Sequence, residues 1–175
     1  IIMGRWKPPR NAGSPYITAA GYAALQEEQK ALWIRRREVV AALSAAAAEG
    51  DRSENAEYIY RKKELGGIDR RIRYLQKRMP LLQIVRHEVP PERAFFGATV
   101  ELEFDDKDRV RYQLVGEDEA DAAKGKINID SPLAQALLKK RAGDAVSMVI
   151  DGEKKTASIE SIHYEVDDDT SHHAS

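Results

Sequence analysis

The 175-residue sequence predicts an α+β fold: an N-terminal antiparallel coiled-coil hairpin of two helices, followed by a compact antiparallel β domain with one short helix. Three observations carry this expectation. Apolar residues recur every seven positions in two blocks separated by Gly50, which is the signature of a helical seam. From residue 98 onward the pattern changes to short alternating segments split by charged or Gly-containing turns. The charge changes with it: residues 1–80 hold 16 Lys and Arg against 9 Asp and Glu, whereas residues 81–175 hold 12 against 20. The asymmetry suits either two units with different partners, the basic one matched to a polyanion such as nucleic acid, or simply the exposed charges of helices.

In chain order, residues 1–15 combine Pro, Gly and Arg without periodicity and read as a flexible arm outside the fold. Residues 16–82 read as the hairpin. Thr18 offers a helix N-cap, and Leu25, Leu32, Val39 and Ala46 then lie seven apart, with Tyr22, Val40 and Leu43 beside them. Ala45–Ala48 are strong helix formers, and Gly50 supplies a backbone conformation that other residues adopt at a cost. The second helix begins after Gly50. Tyr58, Leu65, Ile72 and Met79 form one seven-residue series, and Ile68, Leu75 and Leu82 another. A connection of a few residues forces the helices antiparallel, and arms of about 30 residues extend roughly 40 Å. Gly66-Gly67 should soften the second arm without breaking it, at roughly 1 kcal/mol per Gly relative to Ala.

Pro80 and Pro90-Pro91 bracket the exit to a second domain over 90–166. Its expected strands are Ala98–Phe104, Arg109–Val115, Lys126–Ile129, Ala145–Ile150 and Thr156–Tyr164, with Asp151-Gly152 as a two-residue hairpin turn. Ser131-Pro132 opens a short helix, Ser as N-cap and Pro at the first helical position. Residues 167–175 read as a disordered acidic tail whose paired His172 and His173 are incidental.

The composition excludes several functions. Without Cys there is no disulfide framework, thiol chemistry or cysteine zinc site, and His87 and His163 are single residues in unrelated contexts. No apolar run is long enough to span a membrane, and the charges and prolines near the N-terminus do not suit a signal peptide, so a cytoplasmic protein with no membrane partner is expected. No phosphate loop, zinc spacing or Ser/His/Asp arrangement supports an autonomous active site, and the protein is not expected to be an enzyme.

Chemistry is concentrated on the hairpin. Its apex, Gly50-Asp51-Arg52-Ser53-Glu54-Asn55-Ala56-Glu57-Tyr58, crowds three carboxylates. One account is capping, with Asp51 as N-cap and Glu54 three residues on completing a capping box. The other is insertion of Asp51 and Glu54 into another molecule's cavity, where two carboxylates could contribute part of a magnesium shell shared with that partner. Arg61, Lys62, Lys63, Arg70, Arg71 and Arg73 crowd the second arm, and either solvate the coil or contact phosphates.

Four stretches, GDRSENAEY (50–58), YRKKELGGIDRRIRYL (60–75), FFGATVE (95–101) and INIDSPLAQALLKK (127–140), together resemble the Gre family of bacterial transcript cleavage factors, and within it the GreB branch, over about residues 16–165. The resemblance implies an N-terminal coiled coil and an FKBP-like C-terminal domain. It also implies a monomer that binds RNA polymerase at its secondary channel, with a nucleic-acid-binding character that extends to DNA. Its implied activity is to stimulate the polymerase's own cleavage of backtracked RNA, holding the RNA 3′ segment on the basic arm. Asp51 and Glu54 match the family's acidic tip pair, which shares Mg²⁺ with the polymerase active site. Asp130, Ser131 and Pro132 match its polymerase contact. Gly66-Gly67, the N-terminal arm and the acidic tail depart from the family pattern. An inhibitory paralogue that binds the channel without promoting cleavage is the competing reading.

Overall fold

The computed structural model describes residues 6–50 and 55–165. By their internal contacts the residues fall into two units: Ile1–Ala12 with Tyr22–Leu82, and Gly13–Gly21 with Gln83–Ser175. No helix among the described residues is long and apolar enough to cross a membrane.

The first unit is built on helices α1 (Ala19–Ala48) and α2 (Ala56–Arg78). Thr18 caps α1 as expected, its hydroxyl accepting from the Gly21 N–H at 3.0 Å. The seven-residue series supplies the seam: Leu25, Leu32, Val39 and Ala46 of α1, and Ile68, Ile72, Leu75 and Met79, are all buried, while Tyr58, Leu65 and Leu82 are half-buried. Ion pairs cross between the helices. Arg71 Nε meets Glu28 at 2.7 Å, Arg35 Nε meets Glu64 at 2.7 Å, and Arg36 Nε meets Asp69 at 2.7 Å. The α2 partner of Glu28 lies later in the chain than the partners of Arg35 and Arg36, as antiparallel helices require. α2 runs through Gly66-Gly67 without interruption and ends where Pro80 enters a 3₁₀ turn over Met79–Leu81.

Glu64 lies between Arg35 and Arg61. Burial alone would raise its pKa, but hydrogen bonds from Arg35 and then Arg61 outweigh it and hold the carboxyl below its ordinary value. A carboxylate with a lowered folded pKa adds stability that is fully present above the unfolded value, near 4.5, and lost as pH falls through the folded one. Melting followed by circular dichroism should therefore be insensitive to Glu64 ionisation at neutral pH and lose stability below pH 4.5, and Glu64→Gln should flatten part of that acid limb.

The second unit holds a sheet of β3 (Thr99–Phe104), β4 (Arg109–Val115), β5 (Lys126–Asn128), β6 (Ala145–Ile150) and β7 (Glu153–His163), in the order β5-β4-β3-β7-β6. Helix α3 (Pro132–Leu137) packs against β6. Alternate residues face inward: Val100 and Leu102, Leu114, Val146 and Met148, Ala157 and Ile159 form the core with Ala134 and Leu137 of α3. Asp151 and Gly152 both have positive φ, 50° and 79°, which makes the expected tight hairpin between β6 and β7.

The sheet is mixed, which corrects the expectation of a purely antiparallel one. β4 and β5 pair in parallel because residues 116–125 fold into two 3₁₀ turns and bring the chain back to run beside β4 in the same direction. Two short strands have no counterpart in the sequence pattern: β1 (Tyr16–Ile17) pairs in parallel with β2 (Gln83–Ile84). The expected boundary after residue 15 moves accordingly. Gly13 and Ser14 donate main-chain hydrogen bonds to Glu117 and Asp130, and Pro15 C=O accepts from Gln83 N–H, so residues 13–15 belong to the second unit rather than to an arm outside the fold. The acidic tail lies outside the described residues.

Candidate functional site

At the hairpin apex the start of α2 bears on the capping account of the acids. Asp51 and Glu54 lie outside the described residues, but the start of α2 does not: its N-cap is Asn55. The Asn55 Oδ1 accepts from the Tyr58 N–H at 3.1 Å, and its Nδ2 donates to the Ala46 carbonyl at 2.9 Å. One side chain thus bonds a first-turn N–H of α2 and a terminal C=O of α1. This corrects the capping account, because a helix beginning at Ala56 has its cap at residue 55 and Asp51 lies four residues too early. Asn is as good a cap as Asp, and only its amide can also donate across the hairpin.

Of the basic residues of α2, the six singled out from the sequence separate into two groups. Arg71 is committed to structure: it grips Glu28 through Nε and Nη2 at 2.7 and 2.9 Å, stacks 4.8 Å from the Trp6 ring, and its side chain is 13% exposed. Arg61 is tied to Glu57 and Glu64 at 2.8 and 3.0 Å. Lys62, Lys63, Arg70 and Arg73 are exposed. At 3.6 residues per turn these four fall within an arc of about 100°, roughly opposite the seam of Ile68, Ile72 and Leu75, and extend along about 16 Å of helix. Such a stripe of cations can follow several phosphates of a single strand.

In the second unit, Asp130 is exposed, its N–H donating to Asn128 Oδ1 at 2.9 Å. Ser131 caps α3, its hydroxyl accepting from Ala134 N–H at 3.2 Å, and Pro132 occupies the first turn with its ring exposed. The three therefore form one rigid corner, where Ser131 serves the turn while Asp130 and Pro132 face outward. Sequence reasoning missed Ser14, which contacts this corner. Its N–H donates to Asp130 Oδ2 at 2.8 Å and its hydroxyl to Oδ1 at 2.5 Å, across 116 residues, a separation at which no local pattern could signal it.

Among the described residues no group of three or more His, Cys, Asp or Glu side chains could hold a metal ion. The carboxylates of Asp51 and Glu54 suit Mg²⁺ by donor type, but two oxygen-ligand residues leave an octahedral shell incomplete. They fit a metal held jointly with a partner.

Two families of known proteins match the two parts of the chain. The family described as transcription elongation factor, N-terminal, matches residues 15–84, and transcription elongation factor, GreA/GreB, C-term, matches residues 89–164. A protein of Xanthomonas axonopodis pv. citri named Transcription elongation factor GreB is 53% identical over 165 residues, 93% of this chain and 98% of its own. A protein of the same name from Pseudomonas aeruginosa is 52% identical over 140 residues, 79% of this chain and 83% of its own. A solved structure of GreA factor homolog 1 from Thermus thermophilus is 26% identical, with a TM-score of 0.40, covering 85% of this chain and 97% of that one.

Proposed function

The chain belongs to the Gre family of transcription elongation factors, and from that premise we propose that it binds RNA polymerase in the secondary channel and stimulates the polymerase's cleavage of backtracked RNA. The protein is an accessory factor in this reading and not a nuclease itself. The observation that supports it is the arrangement of the hairpin: Asn55, not Asp51, caps α2, and four exposed cations, Lys62, Lys63, Arg70 and Arg73, line the arm.

Asp51 and Glu54 would hold a Mg²⁺ ion together with polymerase residues, and the chemistry such an ion supplies when bound is to position and acidify an attacking water. This chain's own contribution is to deliver the two carboxylates at the end of a stiff support. The buried seam and the ion pairs of Arg71, Arg35 and Arg36 hold the two helices in register, while the corner at Asp130 and Pro132 seats the second unit on the polymerase. Adding the protein to a stalled, backtracked elongation complex tests the reading directly. Accelerated release of short 3′ RNA fragments supports it, and binding without acceleration selects the inhibitory paralogue.

In the same reading the exposed stripe holds the extruded RNA. Lys62→Ala/Lys63→Ala should reduce cleavage of extensively backtracked complexes and lower its salt dependence by about 0.7 in log–log slope for each phosphate no longer held. Melting should change little, since exposed charges contribute about 0–1 kcal/mol. Arg71→Ala is the contrast: it should lower the melting temperature, because it strands Glu28 and uncovers Trp6 and Tyr74. Equal salt slopes for the parent and the Lys62/Lys63 variant return the stripe to a solvating role.

A further inference from the structure

The segment before the first helix is bound to the very carboxylate that the docking reading depends on. Gly13 N–H donates to Glu117 Oε2 at 2.9 Å, and Ser14 donates from both of its polar hydrogens to the two oxygens of Asp130, one to each. The segment is itself anchored. Pro15 C=O accepts from Gln83 N–H at 2.7 Å, Ile17 C=O accepts from Val85 N–H at 2.9 Å, and Ile17 is fully buried. Thr18 donates from its N–H and its hydroxyl to Glu119 at 2.7 and 2.6 Å. An ionised carboxylate has about four acceptor positions, so two remain after Ser14 has bound, and Asp130 is exposed.

We propose that Ser14 is a positioning residue for docking: its paired donors hold the Asp130 carboxylate in one orientation, with its remaining lone pairs presented to a basic or amide donor on the polymerase. Without Ser14, Asp130 rotates about its side-chain torsions, and docking then loses entropy to select one rotamer. The segment thus belongs to the interaction surface, although it carries none of the contacts to the partner itself. This inference rests on the docking reading above, and the experiment separates the two.

The full chain and its variants are titrated into a backtracked elongation complex, reading the concentration for half-maximal cleavage apart from the rate at saturation. Ser14→Ala should raise the half-maximal concentration about three- to tenfold, the range of one exposed charge-assisted hydrogen bond, with the saturated rate close to the parent's. Ser14→Thr keeps both donors and should restore the parent value. In an Asp130→Ala background, Ser14→Ala should have no further effect, because its only route to the partner is gone. If Asp130→Ala weakens docking but Ser14→Ala does not, the role of Ser14 is wrong and the docking corner stands. If Asp130→Ala leaves the half-maximal concentration unchanged, the docking corner is wrong and Ser14 falls with it. Tighter binding by Ser14→Ala also overturns the proposal, since the segment would then obstruct Asp130.

Discussion

Asp51→Ala and Glu54→Ala are each expected to lower stimulated cleavage by about 100-fold or more while leaving polymerase binding and the melting temperature nearly unchanged. The structural ground for the second half of that expectation is Asn55. A capping acid replaced by Ala costs about 0.5–2 kcal/mol, but here the cap is Asn55, whose oxygen holds the Tyr58 N–H and whose nitrogen holds the Ala46 carbonyl. Asn55→Ala should therefore show the stability loss that the two acid variants do not, about 1–2 kcal/mol for a cap and a cross-hairpin bond removed together. Urea unfolding of the three variants, set beside cleavage at saturating protein, separates the roles. An Asp51→Ala protein that still stimulates cleavage, with reduced stability, removes the catalytic assignment.

The largest effect on folding is expected at Gly116. A β-carbon there would stand 1.9 Å from the Tyr16 carbonyl oxygen, a main-chain atom that cannot swing aside. Tyr16 cannot retreat either, because the carbonyls on either side of it, Pro15 and Ile17, accept from Gln83 and Val85, and its ring packs edge-on against Phe96 with centroids 5.9 Å apart. Gly116→Ala should cost about 3 kcal/mol, at the upper end of overpacking, and should loosen residues 13–17 together with the grip of Ser14 on Asp130. Gly66→Ala should have the opposite sign. Its β-carbon meets only Arg70 Nη1 at 3.6 Å, inside a regular helix, so the variant should gain about 1 kcal/mol from helix propensity. Denaturant midpoints for the two proteins check both; a Gly116→Ala midpoint equal to the parent's means that β1 yields without cost.

The seven-residue spacing of Leu25, Leu32, Val39 and Ala46 determined which face of α1 is buried, and the matching series did the same for α2. The local signals were as reliable: Thr18 and Ser131 cap the helices they precede, and Asp151-Gly152 makes its turn with both φ values positive. The stripe of Lys62, Lys63, Arg70 and Arg73 was equally open to reading, since spacing alone puts these residues on one side of a helix. In each case the deciding interaction reaches only a few residues along the chain, or repeats with the helix or strand period.

Tertiary structure decided the rest. That Asn55 rather than Asp51 caps α2 depends on where the Ala46 carbonyl lies across the hairpin. Arg71 looked like its neighbours in sequence and is withdrawn from the exposed stripe by Glu28 and Trp6, 43 and 65 positions away. The pairing of β1 with β2 and the grip of Ser14 on Asp130 join segments that carry no periodicity of their own, and the alternation that marked β5 as a strand says nothing of its parallel direction. A two-residue strand or a lone serine adds too little local preference to be legible, and its conformation is set by the donors and acceptors that the folded chain brings within about 3 Å of it.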